Sequence, residues 1–390
     1  RARKAKDKKA FYGEDIDVEK FSDKSEKIKN INEEQRKNIK NVGVDIENKF
    51  VSGRFIQIDG TPVYENSMQE GIEVMDIREA IKKYNLEDYF WKAVDVETDK
   101  YTALAELKNN GGYFIRAKKN TISKFPIQAC LYLNTKNFSQ NVHNIIIAEE
   151  NSSLNIITGC TSAHNLGSGL HVGISEFFIG KNATVNFTMI HSWNENIFVR
   201  PRTGAIAEEN GKFISNYINL RKTKSIQMYP VVYLNGKNAT ARIQNILYAD
   251  NDSKMDVGGK VIFNAENTRA EVLSKVISNG GEIFSRGNLT ANSKNIKGHI
   301  SCQGLILADN GIIKAIPELE GKFKDIDLTH EASVGKISKD KIEYLMARGL
   351  TEEEATSLII EGFLNVEIEG IPINLKNEIK KVMEKSKKGM

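Results

Sequence analysis

From Pro126 to about residue 336 the chain consists of short β-branched runs separated by Gly and Asn, and helical periodicity is missing throughout. Within this stretch an asparagine returns in one setting, at Asn151, Asn182, Asn210, Asn238, Asn267 and Asn295, with spacings of 31, 28, 28, 29 and 28 residues. Three and five positions after each stand Leu154/Ile156, Val185/Phe187, Phe213/Ser215, Ala241/Ile243, Ala270/Val272 and Gly298/Ile300, and the positions between them are mostly polar. Alternation repeated at a fixed period of this length is the signature of a solenoid, because each strand stacks on its copy one period later. Parallel ladders follow, and so does a β-helix with a continuous apolar stripe inside. The asparagine tolerates left-handed backbone angles and marks one corner of every coil. A sandwich of evenly spaced strands would not have to keep one phase over six repeats.

The flanks follow other rules. Residues 1–125 are expected to be mostly helical, from Lys/Glu-rich segments over about 15–50 and from Ile77, Ala80, Ile81 and Tyr84 at helical spacing. After residue 336, Ser338 is placed to cap a helix ending at Gly349. Thr351 with Glu354 forms a capping box for a second helix ending near Gly362, and Pro372 precedes a third, basic helix. Three regions result: a helical 1–125 with a basic arm, a parallel β-helix over 126–336, and a helical 337–390. The paired helices could suggest a DNA-reading helix-turn-helix, but the second opens Glu352-Glu353-Glu354, which phosphate repels. Their apolar positions Ile342, Leu345, Leu358 and Phe363 exceed what two short helices bury against each other, so a protein-docking surface is expected.

Composition narrows the class. With 390 residues, 40% of them hydrophobic, the chain can bury a large core, and a net charge of +4 is mild. Six of the basic groups lie in "RARKAKDKKA", read as a solvated arm, so no nucleic-acid partner is expected. The lack of an 18-residue apolar run or a signal-type apolar segment makes a cytoplasmic protein without a membrane partner the expectation. Cys130, Cys160 and Cys302 are too few for a disulfide framework and are expected to be reduced.

No phosphate-cradling G-x-x-x-x-G-K-[ST] occurs, so a partner must bring any ATP that is used. "DNDSKMDVGGKV" places Val261 where a calcium loop needs its bidentate Glu, and the repeat phases put no carboxylate pair in the register of a polysaccharide-cleaving β-helix. Cys302 lies seven residues after Asn295, in the phase of Thr158, Met189, Tyr217, Asn245 and Ser274, on the last clear rung. His330 and Glu331 follow one coil later, so thiolate, imidazole and carboxylate can be neighbours there and would suit iron or zinc. Cys160 and His164 in C-x3-H spacing, with the distant His171 and His191, offer a zinc donor set, but these positions fall on different parts of different coils, and turn or stacking roles for the histidines are the favoured expectation.

Several segments resemble the SufB/SufD family of iron–sulfur cluster assembly proteins: "GGYFIRAKKNTISKFPIQA", "IIIAEENSSLNIITGCTS", "GLHVGISEFFIGKNATVNFTMIHSW", "VRPRTG", "ISCQGLILADN" and above all "HEASVGKISKDKIEYLMARGLTEEEATSLIIEGF". The resemblance covers roughly residues 110–365. It implies a right-handed parallel β-helix between helical terminal segments, a non-enzymatic scaffold, and C-terminal helices that dock a SufC-type ABC ATPase. Cys160 in "GCTS" then matches the sulfur-accepting cysteine, Cys302 the cluster-site cysteine, and His330-Glu331 the pair that follows it. Both cysteines together place the chain nearer SufB than SufD. The N-terminal segment is short and has no cysteine cluster, as in compact archaeal-type members, so a homodimer through β-helix edges is expected. The cargo would be a transient iron–sulfur cluster, expected to be 4Fe-4S, with a sulfur donor and apo-protein acceptors as further partners and a flavin left open. Two other readings stay open: a SufD-like adaptor that binds the ATPase without holding a cluster, and a solenoid enzyme acting on carbohydrate.

Overall fold

The computed structural model describes residues 1–28, 30–164 and 166–364. Two long sheets of ten and eleven strands face each other and wind as a mainly parallel β-solenoid of about eight turns. Leu154 pairs with Val185, Val185 with Phe213, Phe213 with Ala241, Ala241 with Ala270 and Ala270 with Gly298, which is the register of the asparagine repeat. Every asparagine of the repeat has positive φ, and Asn120 adds a seventh member one coil earlier, all between 54° and 62°. Their side chains form a ladder along the corner: Asn151 donates to Asn120 at 3.0 Å, Asn182 to Asn151 at 2.9 Å, Asn210 to Asn182 at 2.8 Å and Asn238 to Asn210 at 3.0 Å. Asparagine therefore serves the corner twice, through its backbone preference and through a side chain that donates and accepts along the stack. The interior between the sheets is one continuous apolar core, in which Phe177 packs against Phe187 and Phe213 at centroid distances of 4.8 and 5.0 Å.

The first 125 residues are less helical than their composition suggests. Helices Glu33–Asn41, Ile77–Lys83 and Lys100–Leu107 are present, but Gly53–Ile58, Thr61–Ser67, Ile72–Asp76 and Tyr113–Ala117 are strands. Gly53–Ile58 pairs in parallel with Ile127–Leu133, and Tyr113–Ala117 with Ser139–Ala148, so the ladders begin well before Pro126. Antiparallel partners Thr61–Ser67 and Ile72–Asp76 close the first rungs. Tertiary pairing has overridden a weak local helical pattern. The helices instead cover the outer faces: Ile39 and Val42 lie over Cys130 and Ile157, and Tyr101 and Leu104 over Leu170 and Val172 on the opposite side. The buried Glu176 carboxylate fastens the covering segment by accepting backbone N–H bonds from Trp91, Lys92, Ala93 and Val94 at 2.6–3.0 Å and pairing with His143 Nε2 at 2.8 Å.

At the other end, strands Ile312–Gly321 and Ile326–Lys336, one at the end of each sheet, form the last rung, and among the described residues no strand covers their outer edges. Helix Lys339–Met346 follows Ser338, which makes no side-chain capping bond, and Gly349 turns the chain at φ 97°. The Thr351/Glu354 box is formed, with Glu354 N donating to Thr351 Oγ1 at 3.2 Å and Thr351 N to Glu354 Oε2 at 2.8 Å. The helix it starts, Glu352–Leu364, folds back so that Ile360 and Leu364 pack on the outer stripe of Tyr248, Ile277 and Leu305. The third helix expected after Pro372 lies outside the described residues. No described helix is long and apolar enough to cross a membrane.

Candidate functional site: two buried thiols along one interior

Cys160 on strand Ser153–Ser162 and His191 on Thr184–Ser192 are direct register partners, and His171 comes from Gly169–Ile179 in the facing sheet. One ligand atom from each of the three lies within 4.8 Å of the others, and all three side chains are buried. Alternation decides which way the thiol points. Gly159 faces outward, where a Cβ would stand 2.3 Å from Val42 Cγ2, so the end of the covering helix presses directly onto the strand and Cys160 faces in.

The hydrogen bonds fix the imidazoles. The amide nitrogen of Gln140 donates to the carbonyls of Asp59 at 2.9 Å and Tyr132 at 3.3 Å, so its Oε1 is turned to His171 Nδ1 at 2.9 Å. His171 therefore carries its proton on Nδ1 and keeps a lone pair on Nε2. Nδ1 of His191 bonds the Tyr217 hydroxyl at 2.9 Å, while its Nε2 is buried without a hydrogen-bond partner. The Trp193 ring packs on both imidazoles, at 4.9 Å from His171 and 5.3 Å from His191, and its Nε1 is likewise buried and unpartnered. Burial lowers His171 to about 3 and takes His191 well below its ordinary value, so both rings are neutral near pH 7. Burial also pushes the Cys160 thiol up, against a smaller opposing effect from a backbone hydrogen bond at Leu131. A cleft of about 250 Å³ beside this cage is lined in part by Asn38, Thr161, Ala163, Ser192 and Trp193.

In the sequence these histidines fall on different parts of different coils, and the structure gathers two of them. The available signal was phase: Cys160 is nine residues after Asn151, and His191 nine after Asn182. His171 carries no such mark, because it comes from the facing sheet. His164 is exposed outside the solenoid and does not join the cage.

Cys302 occupies the expected rung. It pairs with Ser274, which pairs with Asn245, which pairs with Tyr217. These four buried side chains form an in-phase polar file through the interior, joined to the cage by the Tyr217–His191 bond. Asn245 donates to Ser274 Oγ at 3.3 Å, and its Oδ1 is buried without a partner. Burial raises the Cys302 thiol, and a hydrogen bond with Ser285 of the facing sheet acts the other way. On the next strand Ala332 stands opposite Cys302, His330 opposite Ile300 and Glu331 opposite Ser301. Alternation thus puts His330 on the face of Cys302 and Glu331 on the opposite face. There Glu331 Oε1 accepts from Ser301 Oγ at 2.8 Å and lies 3.9 Å from His299 Nε2. His299, a close neighbour of this carboxylate, carried no mark in the sequence reading. All of this sits at the last rung of the solenoid, which no described strand covers and where His330 and Glu331 are exposed.

Of the four helix residues singled out for docking, Ile342 and Leu345 are half-buried and Leu358 is 49% exposed. Phe363 is half-buried against the outer stripe, and its carbonyl accepts from Lys275 Nζ at 2.9 Å. Tyr344 and Met346 extend the exposed apolar surface.

Comparison with known proteins is consistent with this architecture. Residues 131–363 match the family model described as SUF system FeS cluster assembly, SufBD core domain. An iron–sulfur cluster assembly SufBD family protein of Methanothermobacter thermautotrophicus is 44% identical over 403 aligned positions, covering all of this chain and 98% of the relative. One from Archaeoglobus fulgidus is 44% identical over 91% of this chain and 96% of its own length, and one from Pyrococcus horikoshii is 32% identical over 94% and 84%.

Proposed function

Because the chain belongs to the SufBD family of the SUF iron–sulfur cluster assembly system, we propose that it is the SufB-like scaffold of that machinery, on which sulfur and iron are brought together as a nascent cluster. In this reading Cys160 accepts sulfur, and Cys302 with His330 on its own face holds the cluster, while Glu331 on the opposite face of the strand assists only from outside that face. The observation that carries it is the polar file Tyr217–Asn245–Ser274–Cys302, which links the Cys160 cage to the open end of the solenoid. The two thiols lie five strand spacings apart, roughly 24 Å, too far for direct transfer, so a polar interior between them is what sulfur movement requires. A packed adaptor would have no need of it.

One chain offers one cysteine at the terminal rung. Two copies meeting there, with nitrogen or oxygen donors completing the set, supply enough ligands, and a cluster with few thiolates is easier to release than one held by four. The terminal helices are the docking surface for the ABC-type ATPase, whose closure would strain the paired rungs and expose the site. Anaerobic reconstitution of Cys302→Ser, Glu331→Ala and Cys160→Ser tests the assignment. Cys302→Ser should lose iron and sulfide, and Cys160→Ser should still assemble a cluster when free sulfide bypasses sulfur acceptance. A Cys302→Ser protein that loads like the parent would overturn the assignment of Cys302, whereas a parent protein that takes up no cluster would favour the SufD-like adaptor.

A further inference from the structure

The geometry points to a second metal site, separate from the terminal rung: Cys160, His171 and His191 form a three-coordinate cage for a single thiophilic d10 cation, Cu⁺ or Zn²⁺. The assignment does not rest on the sulfur-accepting role of Cys160. It rests on one S and two N donors within 4.8 Å of one another in a buried interior. Trigonal ligation at ordinary bond lengths places donors about 3.5–4 Å apart, so side-chain rotations of about 1 Å close the set. Three further observations point to an occupant. His191 Nε2 is buried and has no partner, which is costly in an apolar interior and is relieved by a cation. His171 is held by Gln140 in the tautomer that leaves Nε2 free to ligate, the second-sphere arrangement in which a metal-bound imidazole donates its other N–H to an oxygen. Gly173 leaves room at that atom, since a Cβ there would stand 2.9 Å from His171 Nε2.

Charge distinguishes the two cations. Binding converts the Cys160 thiol to thiolate and releases its proton through the adjoining cleft. One thiolate cancels the charge of Cu⁺ and leaves a neutral complex, whereas Zn²⁺ keeps a net positive charge that a dry cage disfavours unless a further anion enters. The indole N–H of Trp193, unpartnered in the same cage, could donate to such an anion.

The test uses Cys302→Ser protein, so that the terminal thiol does not contribute, titrated anaerobically with Cu⁺ against a chromogenic chelator and, separately, with Zn²⁺ and its spectroscopic substitute Co²⁺. One equivalent per chain is expected, with an X-ray absorption edge fitting one sulfur and two nitrogens. Further replacement by Cys160→Ser or His191→Gln should lower affinity at least 100-fold, while His164→Ala should change nothing. Preference for Cu⁺ supports the neutral complex, and a thiolate-to-Co²⁺ charge-transfer band with tight Zn²⁺ binding supports the divalent form with an added anion. Absence of uptake, or uptake whose absorption edge shows no sulfur ligand, overturns the site even if the substituted proteins fail to fold.

Discussion

At the scale of residues, the chemistry is set by what burial does to ordinary side chains. His171 is neutral in the folded protein because a charged ring in the core would be poorly solvated, and its value falls to about 3 against about 6.5 in an unfolded chain. The unfolded state therefore takes up a proton at a higher pH than the native state. Stability is complete above about pH 6.5 and is lost as pH falls from there toward 3, with a slope approaching about 1.4 kcal/mol per pH unit for each such histidine. Guanidinium unfolding midpoints of the metal-free protein should fall between pH 7 and 5, and His171→Asn should flatten that fall; an unchanged slope would mean that the ring is solvated. The residue scale is also where sequence reading reached least far. Cys302 was legible because its phase could be counted along one face. His171 was not, because its place beside Cys160 depends on which residues of the opposite sheet lie across the core.

At the scale of elements, the corner asparagines define each coil, and their contribution is divided between a left-handed backbone and a ladder of amide bonds. Asn210→Ala should destabilise by roughly 1–3 kcal/mol, since it strains φ at 57° and breaks the bonds to Asn182 and from Asn238. Asn210→Gly should cost less, because it removes only the ladder; equal losses in thermal or denaturant melts would refute that division. The terminal helices separate into a face that folds and a face that is free. Ile360→Asp places a charge against the outer stripe and should destabilise the helix–solenoid contact. Leu358→Asp, at a half-exposed position, should shift stability by under about 0.5 kcal/mol yet abolish co-purification with the ATPase. Retained co-purification would remove this face from the docking surface. The helix boundaries here were readable because capping is local, and Thr351 and Glu354 satisfy each other within four residues.

At the scale of the whole molecule, the two ends of the solenoid differ. Antiparallel strands of the same chain close the first rung, whereas among the described residues the eleven-residue strand Ile326–Lys336 has no partner on its outer edge and exposes Val334. Such an edge is a template for pairing, and a second copy can satisfy it about a twofold axis. Light scattering should give twice the 43.8 kDa chain mass, and Val334→Pro, which removes a backbone donor from the edge, should return the protein to monomer; a parent that is monomeric at micromolar concentration would contradict the pairing. What the sequence determined by itself was whatever repeats or closes locally: the period, the parallel register, the phase of Cys302 and the Thr351/Glu354 cap. These follow from one strand stacking on its copy and from hydrogen bonds spanning a few residues, so spacing alone carries them. What only the tertiary structure decided was what meets across the core and over its outer faces. The strands within residues 53–117 exist because the solenoid supplies partners for them, Glu331 turns away from Cys302 because its strand alternates, and Cys160 meets His171 because two sheets close on each other. No local pattern encodes that meeting, since the distance between facing sheets is set by the side chains packed between them.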